Sequence, residues 1–474
     1  MTATSTPNDT EIQLLGTSLY SAVPLEETKL TALATIKVPD TPEDEDDNED
    51  EINDARAPVI LVAVVDKSGS MSGDKISSLK ETLTFVINEM SKKDRLAIVE
   101  YDTNVKTTLS LTVMDDNGKR LANTVAKNIR TGSSTNMSGG LESGLKLIPN
   151  DIDSNTVASV LLMTDGHANY GIQTASGMIE MMKNLQSQGY GRCTVNTFGF
   201  GKDHNASALN EISDAGEGMY YFIENADSIA SSFADCLGGL LSVAAQGIEL
   251  TIEACEGCKI GRLHTPKPST TVEEGKKYRI AFGDLQEGES RDIPFEITLN
   301  SCSSSSSNTP IIKLSASYFH MKKETMVDCE TTITIDRIPK DELTDEQRKP
   351  NLEVNRHSNR VAAADATETA VSLANNNQLE QARELLQKTM KEIKESPSAN
   401  EEMTKGLITQ LENSLQSLRS RESYSREGQY SMNQCYKAMK MQRCAAAPVA
   451  MECASMSYET SARKKMKKKF SKKC

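Results

Sequence analysis

Five oxygen-bearing side chains stand at positions where chemistry can occur. Asp66, Ser68 and Ser70 lie in "VVDKSGSMSGDKI" (64–76), Thr135 in "TGSSTNMSGG" (131–140) and Asp165 in "MTDG". All five offer hard oxygen, with no nitrogen or sulfur among them. Such a set suits Mg²⁺, Mn²⁺ or Ca²⁺ rather than Zn²⁺, which favours Cys and His. Only two of the five are carboxylates. A hydroxyl-rich shell leaves a divalent ion short of negative charge, so it can accept a carboxylate from outside. The expected chemistry is metal-bridged capture of an Asp or Glu on a protein partner. No nucleophile–base pair accompanies the cluster: His167, two residues after Asp165, reads as an exposed loop residue and not a general base. The expectation is a non-enzymatic binding protein. A metal-dependent hydrolase is a rival that the lack of a positioned base argues against.

These side chains can meet only if the chain brings strand ends together. "VILVAVVD" (59–66) is a continuous Val-rich run, the signature of a strand buried on both faces of a parallel sheet. Ile76, Leu79, Leu83, Val86 and Met90 then follow at helical spacing. "RLAIVEY" and "KTTLSL" read as strands, followed by helices over 115–129 and after Asn136. "VASVLLMTD" is a second buried strand, ending at Asp165, and "CTVNTFGFG" a third, with helices predicted over 173–187, 206–215 and 226–245. This alternation predicts an α/β fold, a doubly wound, mostly parallel sheet over residues 58–245. Ligands in such sheets sit at the carboxyl ends of the strands, where strand order reverses. Asp66 and Asp165 end two strands, and Thr135 precedes a helix, so all can converge on one sheet edge.

The flanks differ. Residues 246–338 carry short alternating segments such as "GIELTIEA" and "RDIPFEITL", separated by Gly, Pro and Ser turns, which predicts an antiparallel β-sandwich. Residues 12–38 supply β-prone pieces that can join it, making the α/β unit an insertion. Residues 39–57 read as an acidic linker, with nine acids between Glu43 and Asp54. Over 351–421 three amphipathic stretches predict a small helical bundle: Ala363–Leu373, Leu379–Ile393 and Met403–Leu418. Residues 1–11 and 422–474 read as disordered, the latter as a basic tail.

Composition sets bounds. A chain of 474 residues is too long for one core. It shows no secretory leader pattern and no apolar run long enough for a membrane helix. Ten cysteines, none before Cys193, read as reduced thiols in a cytoplasmic or nuclear compartment. The net charge of −14 divides unevenly: residues 422–474 carry +8 and residues 1–421 carry −22. An acidic body with a basic tail argues against general nucleic-acid binding. Partner identity and oligomeric state stay open.

The motifs also carry a resemblance. "DKSGS", the threonine of "GSSTNMSGGL" and "LLMTDG" resemble the three parts of the metal-ion-dependent adhesion site of von Willebrand factor A (vWA) domains, in order, across about 60–245. The resemblance implies a Rossmann-like vWA fold in which Ser68, Ser70 and Thr135 offer hydroxyl oxygens, while Asp66 and Asp165 act directly or through water. "FGFGKDHNASALNEISDAGEGMYYFIENADSIASSFADCLGGLLSV" and "FGDLQEGESRDI" are similar to plant-type vWA proteins that carry a RING finger and act as ubiquitin ligases. A RING finger needs eight Cys/His ligands, and residues 1–166 contain neither residue type, so ligase activity is not carried over. An adaptor in ubiquitin transfer, working with a separate ligase, is the alternative function.

Lesser signals stay open. "CEGC" (255–258) has CxxC spacing without a second pair and reads as a hairpin turn bearing two thiols, a half-site or redox pair being the alternative. The terminal "RKKMKKKFSKKC" holds eight basic residues; it can be a solvated tail, a nuclear-import signal, an anionic-membrane patch or a partner for the 43–54 acidic run.

Overall fold

The computed structural model describes residues 12–40, 56–201, 204–223, 226–443 and 458–471. The disorder expected of residues 1–11 and most of the acidic linker therefore lie outside the described residues.

The chain opens with three strands, β1 (Gln13–Ser18), β2 (Ala22–Val23) and β3 (Thr28–Lys37). The α/β unit follows. Its first half comprises β4 (Val59–Asp66), α1 (Asp74–Glu89), β5 (Arg95–Tyr101), β6 (Val105–Val113), α2 (Asp116–Asn128) and α3 (Met137–Lys146). Its second half comprises β7 (Val157–Thr164), α4 (Ala175–Ser187), β8 (Thr194–Phe200), α5 (Ala206–Ala215), β9 (Glu217–Ile223) and α6 (Ala226–Leu241). The sheet order is β6-β5-β4-β7-β8-β9, parallel throughout except for β6. Strand β4 is buried along its whole length because helices cover both faces. Leu61, Ala63 and Val65 face one core with Leu83 and Phe233; Val62 and Val64 face the other with Leu141 and Ile212. Each such aliphatic side chain contributes about 1.5–3 kcal/mol of burial free energy. Strand order runs outward from β4 in both directions, so the reversal lies between β4 and β7.

The chain then builds β10 (Val243–Ala254), β11 (Cys258–Leu263), β12 (Ser269–Glu273), β13 (Lys277–Gln286), β14 (Ser290–Leu299), β15 (Ser306–His320) and β16 (Thr325–Arg337). One sheet has the order β12-β13-β10-β15-β16-β2 and the other β1-β3-β14-β11. A shared core that includes Ala34, Ile252, Phe295 and Leu314 lies between them. Strand β3 pairs with β14 from Thr28 to Lys37, so the α/β unit is threaded into the sandwich between β3 and β10. Cys258 closes a tight turn on the Cys255 carbonyl at 3.2 Å, and both thiols are free.

Three helices follow: α7 (Leu352–Asn375), capped by the Asn351 carboxamide, α8 (Leu379–Lys394) and α9 (Glu402–Ser417). The basic tail departs from expectation. Instead of disorder throughout 422–474, the chain continues through a π turn at Tyr424–Gly428 into α10 (Gln429–Met441), and a last helix, α11, spans Ser461–Ser471. Helix α10 is buried nearly all round, so no apolar stripe marks it in the sequence. Its polar residues are matched instead: Lys437 pairs with Asp214 at 2.8 Å, and Asn210 donates to the Tyr436 hydroxyl at 2.6 Å.

Candidate functional site

The site grows from the carboxyl ends of β4 and β7. Val65 is in register with Met163, so Asp66 and Thr164 end side by side and Asp165 is the next residue. Backbone and side chains then lock the Asp66 carboxylate in place: Oδ1 accepts from the Ser68 N–H at 2.8 Å, and Oδ2 accepts from the Thr164 hydroxyl at 2.6 Å. Ser68 and Ser70 share a hydroxyl–hydroxyl hydrogen bond of 3.1 Å, and Ser70 donates onward to Asp165 Oδ1 at 2.7 Å. A continuous chain of contacts thus joins four of the five expected residues.

Among the described residues, no hydrogen bond ties the Thr135 side chain to the other four; the structure brings its loop, rather than its hydroxyl, against the β4–α1 turn. The Gly132 N–H donates to the Lys67 carbonyl at 2.5 Å and the Gly69 N–H to the Ser133 carbonyl at 3.0 Å, zipping the loop against the β4–α1 turn. A side chain at Gly132 would collide with the Asp102 carboxylate, which explains glycine there. Thr135 is clasped by Asn169, whose carboxamide oxygen accepts from the Thr135 N–H at 2.8 Å and whose own N–H donates to the Thr135 carbonyl at 3.2 Å. Asn136 then caps α3, accepting from the Gly139 N–H.

Asp66, Asp165, Ser68 and Thr135 are buried, whereas Ser70 and His167 are exposed, so the cluster opens to solvent on one side. Burial pushes the Asp66 carboxyl up to about 6, despite hydrogen bonds from Thr164 and Ser68 that favour the anion. The neighbouring Asp165 charge adds to that rise. The same burial, with the Asp66 charge close by, drives the Tyr101 phenol up. A cation would relieve this crowded negative charge. One is already present: Lys75, in the first turn of α1, places its ammonium 2.6 Å from Asp165 Oδ2. Two carboxylates and one ammonium leave a single net negative charge. A divalent ion would turn that into a net positive charge facing solvent, which is what an external carboxylate seeks. The donors are hydroxyls and carboxylates, and among the described residues no group of three or more His, Cys, Asp or Glu is arranged to hold a metal ion. The set therefore fits a hard cation with water-filled positions.

Lys75, Thr164 and Asn169 were not singled out from sequence. Thr164 sits beside Asp165 and Lys75 follows the serine cluster closely, so proximity to the motifs was the available signal. Asn169 gives none, because its role depends on two loops meeting.

A family profile described as von Willebrand factor type A domain matches residues 61–235, and one described as CPSF6-like, RSLD domain, N-terminal region matches residues 351–444. E3 ubiquitin-protein ligase WAV3 of Arabidopsis thaliana is 30% identical over 250 residues, covering 52% of this chain and 32% of that protein. The chain spans less than two thirds of the curated relatives it matches first, between 32% and 59% of their length. The solved von Willebrand factor type A protein from Catenulispora acidiphila superposes with a TM-score of 0.60 at 15% identity, covering 84% of this chain and 89% of that one. The ArnB paralog VWA2 from Sulfolobus acidocaldarius gives 0.56 at 13%, covering 90% and 98%. These likenesses show the fold.

Proposed function

From a chain that carries a von Willebrand factor type A domain over residues 61–235, we propose a protein-interaction function exercised through a divalent cation. Asp66, Ser68, Ser70, Thr135 and Asp165 hold the ion, Mg²⁺ being the expected one with Mn²⁺ or Ca²⁺ as substitutes. The protein partner contributes an Asp or Glu carboxylate to the remaining coordination. The observation that carries this reading is the unbroken link Asp66–Ser68–Ser70–Asp165 at the strand-order reversal, with one side open.

The rim supports an interface. Tyr170 and Ile172 are 53% and 39% exposed, and the Tyr170 N–H donates to the Thr135 carbonyl at 3.3 Å. Two apolar side chains beside a charge-seeking ion suit a partner segment in which an acid is flanked by apolar residues. On this reading the role is binding, and His167, the histidine nearest the cluster in sequence, is an exposed residue. The compartment is cytoplasmic on this reading, in keeping with free thiols at all seven described cysteines.

Affinity capture with the full chain tests the proposal. Partners retained in Mg²⁺ and released by chelator are expected, and Tyr170→Ala should weaken their capture roughly tenfold without changing ion binding. Equal retention in Mg²⁺ and in EDTA would overturn the mechanism.

The match to WAV3 favours a second reading, an adaptor that presents a partner to a separately supplied ubiquitin ligase. Metal-dependent co-purification of ubiquitin-pathway enzymes supports it. A capture that retains metal-dependent partners but none of those enzymes removes it.

A further inference from the structure

Helix α11 is a short helix with an unusual charge load. Six of the seven residues from Arg463 to Lys469 are basic, so neighbours at i+3 and i+4 repel along its length. Its inner face is neutralised. Arg463 is buried and pairs with Asp235 and Glu289, each at 3.4 Å. Lys467 contacts Asp235 and Glu459, and Lys469 lies 3.6 Å from Glu89. The outer face is different. Lys464 and Lys468 are exposed and Lys465 half-buried, and none of the three has an ion-pair partner among the described residues.

Both ends of the acidic segment come down beside this helix. Asp40, the last described residue before it, accepts from the Ser461 hydroxyl at 2.7 Å, at the first residue of α11. Arg56, the first described residue after it, pairs with Asp94 at 2.5 Å. Asp94 lies in the turn that follows Glu89, the residue paired with Lys469 near the other end of α11. From Ser461 to Lys469 the helix extends about 12 Å. Residues 41–55 hold nine acids and no base. They have ample length for that span, since an extended chain reaches about 3.3 Å per residue. The same anchors argue against a role for these acids as the cation's own carboxylate. Arg56 lies near the amino end of β4, and Asp66 closes its carboxyl end about 23 Å away.

We propose that the outer lysine face of α11, formed by Lys464, Lys465 and Lys468, is a docking surface for the acidic segment 43–54 of the same chain. The segment completes the neutralisation that Asp235, Glu89 and Glu459 begin on the inner face, and it keeps the lysines from phosphate-bearing surfaces.

Zero-length carboxyl–amine cross-linking of the full chain, followed by peptide mapping of the monomer, tests this. Links from acids within 43–54 to Lys464, Lys465 or Lys468 are expected. They should be lost at about 1 M salt, where the screening length falls to about 3 Å. Reversing the three lysines to Glu should abolish them, and also reversing three of the acids to Lys should restore them. In parallel, phosphatidylserine vesicles should capture a variant whose nine acids are changed to Asn or Gln at least tenfold more strongly than the unmodified chain. Lysines that stay unlinked in the monomer would overturn the proposal, as would links formed only between chains. So would equal vesicle capture by the two proteins, which would assign the face to an anionic lipid surface.

Discussion

At the scale of single residues, the account turns on charge held in a confined place. Asp66 carries a carboxyl pushed up to about 6 by burial, and Asp165 is held by a serine on one oxygen and a lysine on the other. Lys75 is thus a built-in counter-ion that any arriving metal must contend with. Replacing it with Met removes a unit positive charge 2.6 Å from Asp165, one of the carboxylates proposed to hold the ion. Calorimetry should then show cation binding tightened roughly tenfold, together with a lower melting temperature in EDTA because Asp165 loses its partner. Unchanged affinity would mean that Lys75 does not face the ion. The residues of the cluster were legible in the sequence because three separate motifs each place small hydroxyls or an acid at a strand end or a helix start. Lys75 and Asn169 were not. Their roles come from contacts between elements distant in sequence, and a lysine or asparagine near a motif is indistinguishable from a solvated one until the loops are closed.

At the scale of elements, what positions the site is the pair β4 and β7, both buried throughout. Long apolar runs announced them, which is why the α/β unit could be anticipated. Helix α10 was missed for the opposite reason: a helix buried on most sides has no periodic stripe, and even its polar Lys437 and Asn433 are buried. That helix covers the β8–α5 connection, where the Tyr430 ring lies 5.0 Å from His204, and the His204 Nε2 meets the Tyr220 hydroxyl at 2.7 Å. Burial pushes the His204 imidazole down from 6.5 to about 4. A neutral buried histidine destabilises the fold once the unfolded chain can bind the proton. The penalty is therefore absent above the unfolded value and grows as pH falls from 6.5 toward 4. Comparing wild type with His204→Gln isolates this from the carboxylates that titrate in the same range. The drop in melting temperature between pH 7 and pH 5 should be smaller in the variant, and equal drops would exclude the histidine as the source.

At the scale of the molecule, the three blocks are joined by a buried ionic cluster rather than by apolar packing alone. Glu289, at the turn before β14, meets Arg291 at 2.9 Å, Arg443 after α10 at 2.9 Å and Arg463 of α11 at 3.4 Å. Arg463 also reaches Asp235 in α6, so sandwich, helices and α/β unit share one network. Burial by itself would raise the Glu289 carboxyl, yet the three guanidinium groups overcome that and hold it down at about 2. Glu289→Gln leaves those cations without their shared anion. Denaturant unfolding should show about 3–5 kcal/mol of lost stability, with α11 the first element to lose protection from hydrogen exchange. A loss below about 1 kcal/mol would show that the blocks do not depend on this junction. None of this was visible beforehand, because the partners lie up to 228 positions apart and an Arg in a basic run looks like any other.

The central claim is that five oxygen-bearing residues hold one hard cation. Titrating the full chain with Mn²⁺ while following its electron paramagnetic resonance tests this most directly, because the free-ion signal falls as the ion is bound. The wild-type protein should take up one ion at a saturable site that Mg²⁺ displaces. Asp66→Asn, which preserves the hydrogen bond accepted from Ser68 and so the local fold, should lose that site. A wild-type chain that leaves the free-ion signal untouched, or an Asp66→Asn variant that binds as tightly as wild type, would contradict the account.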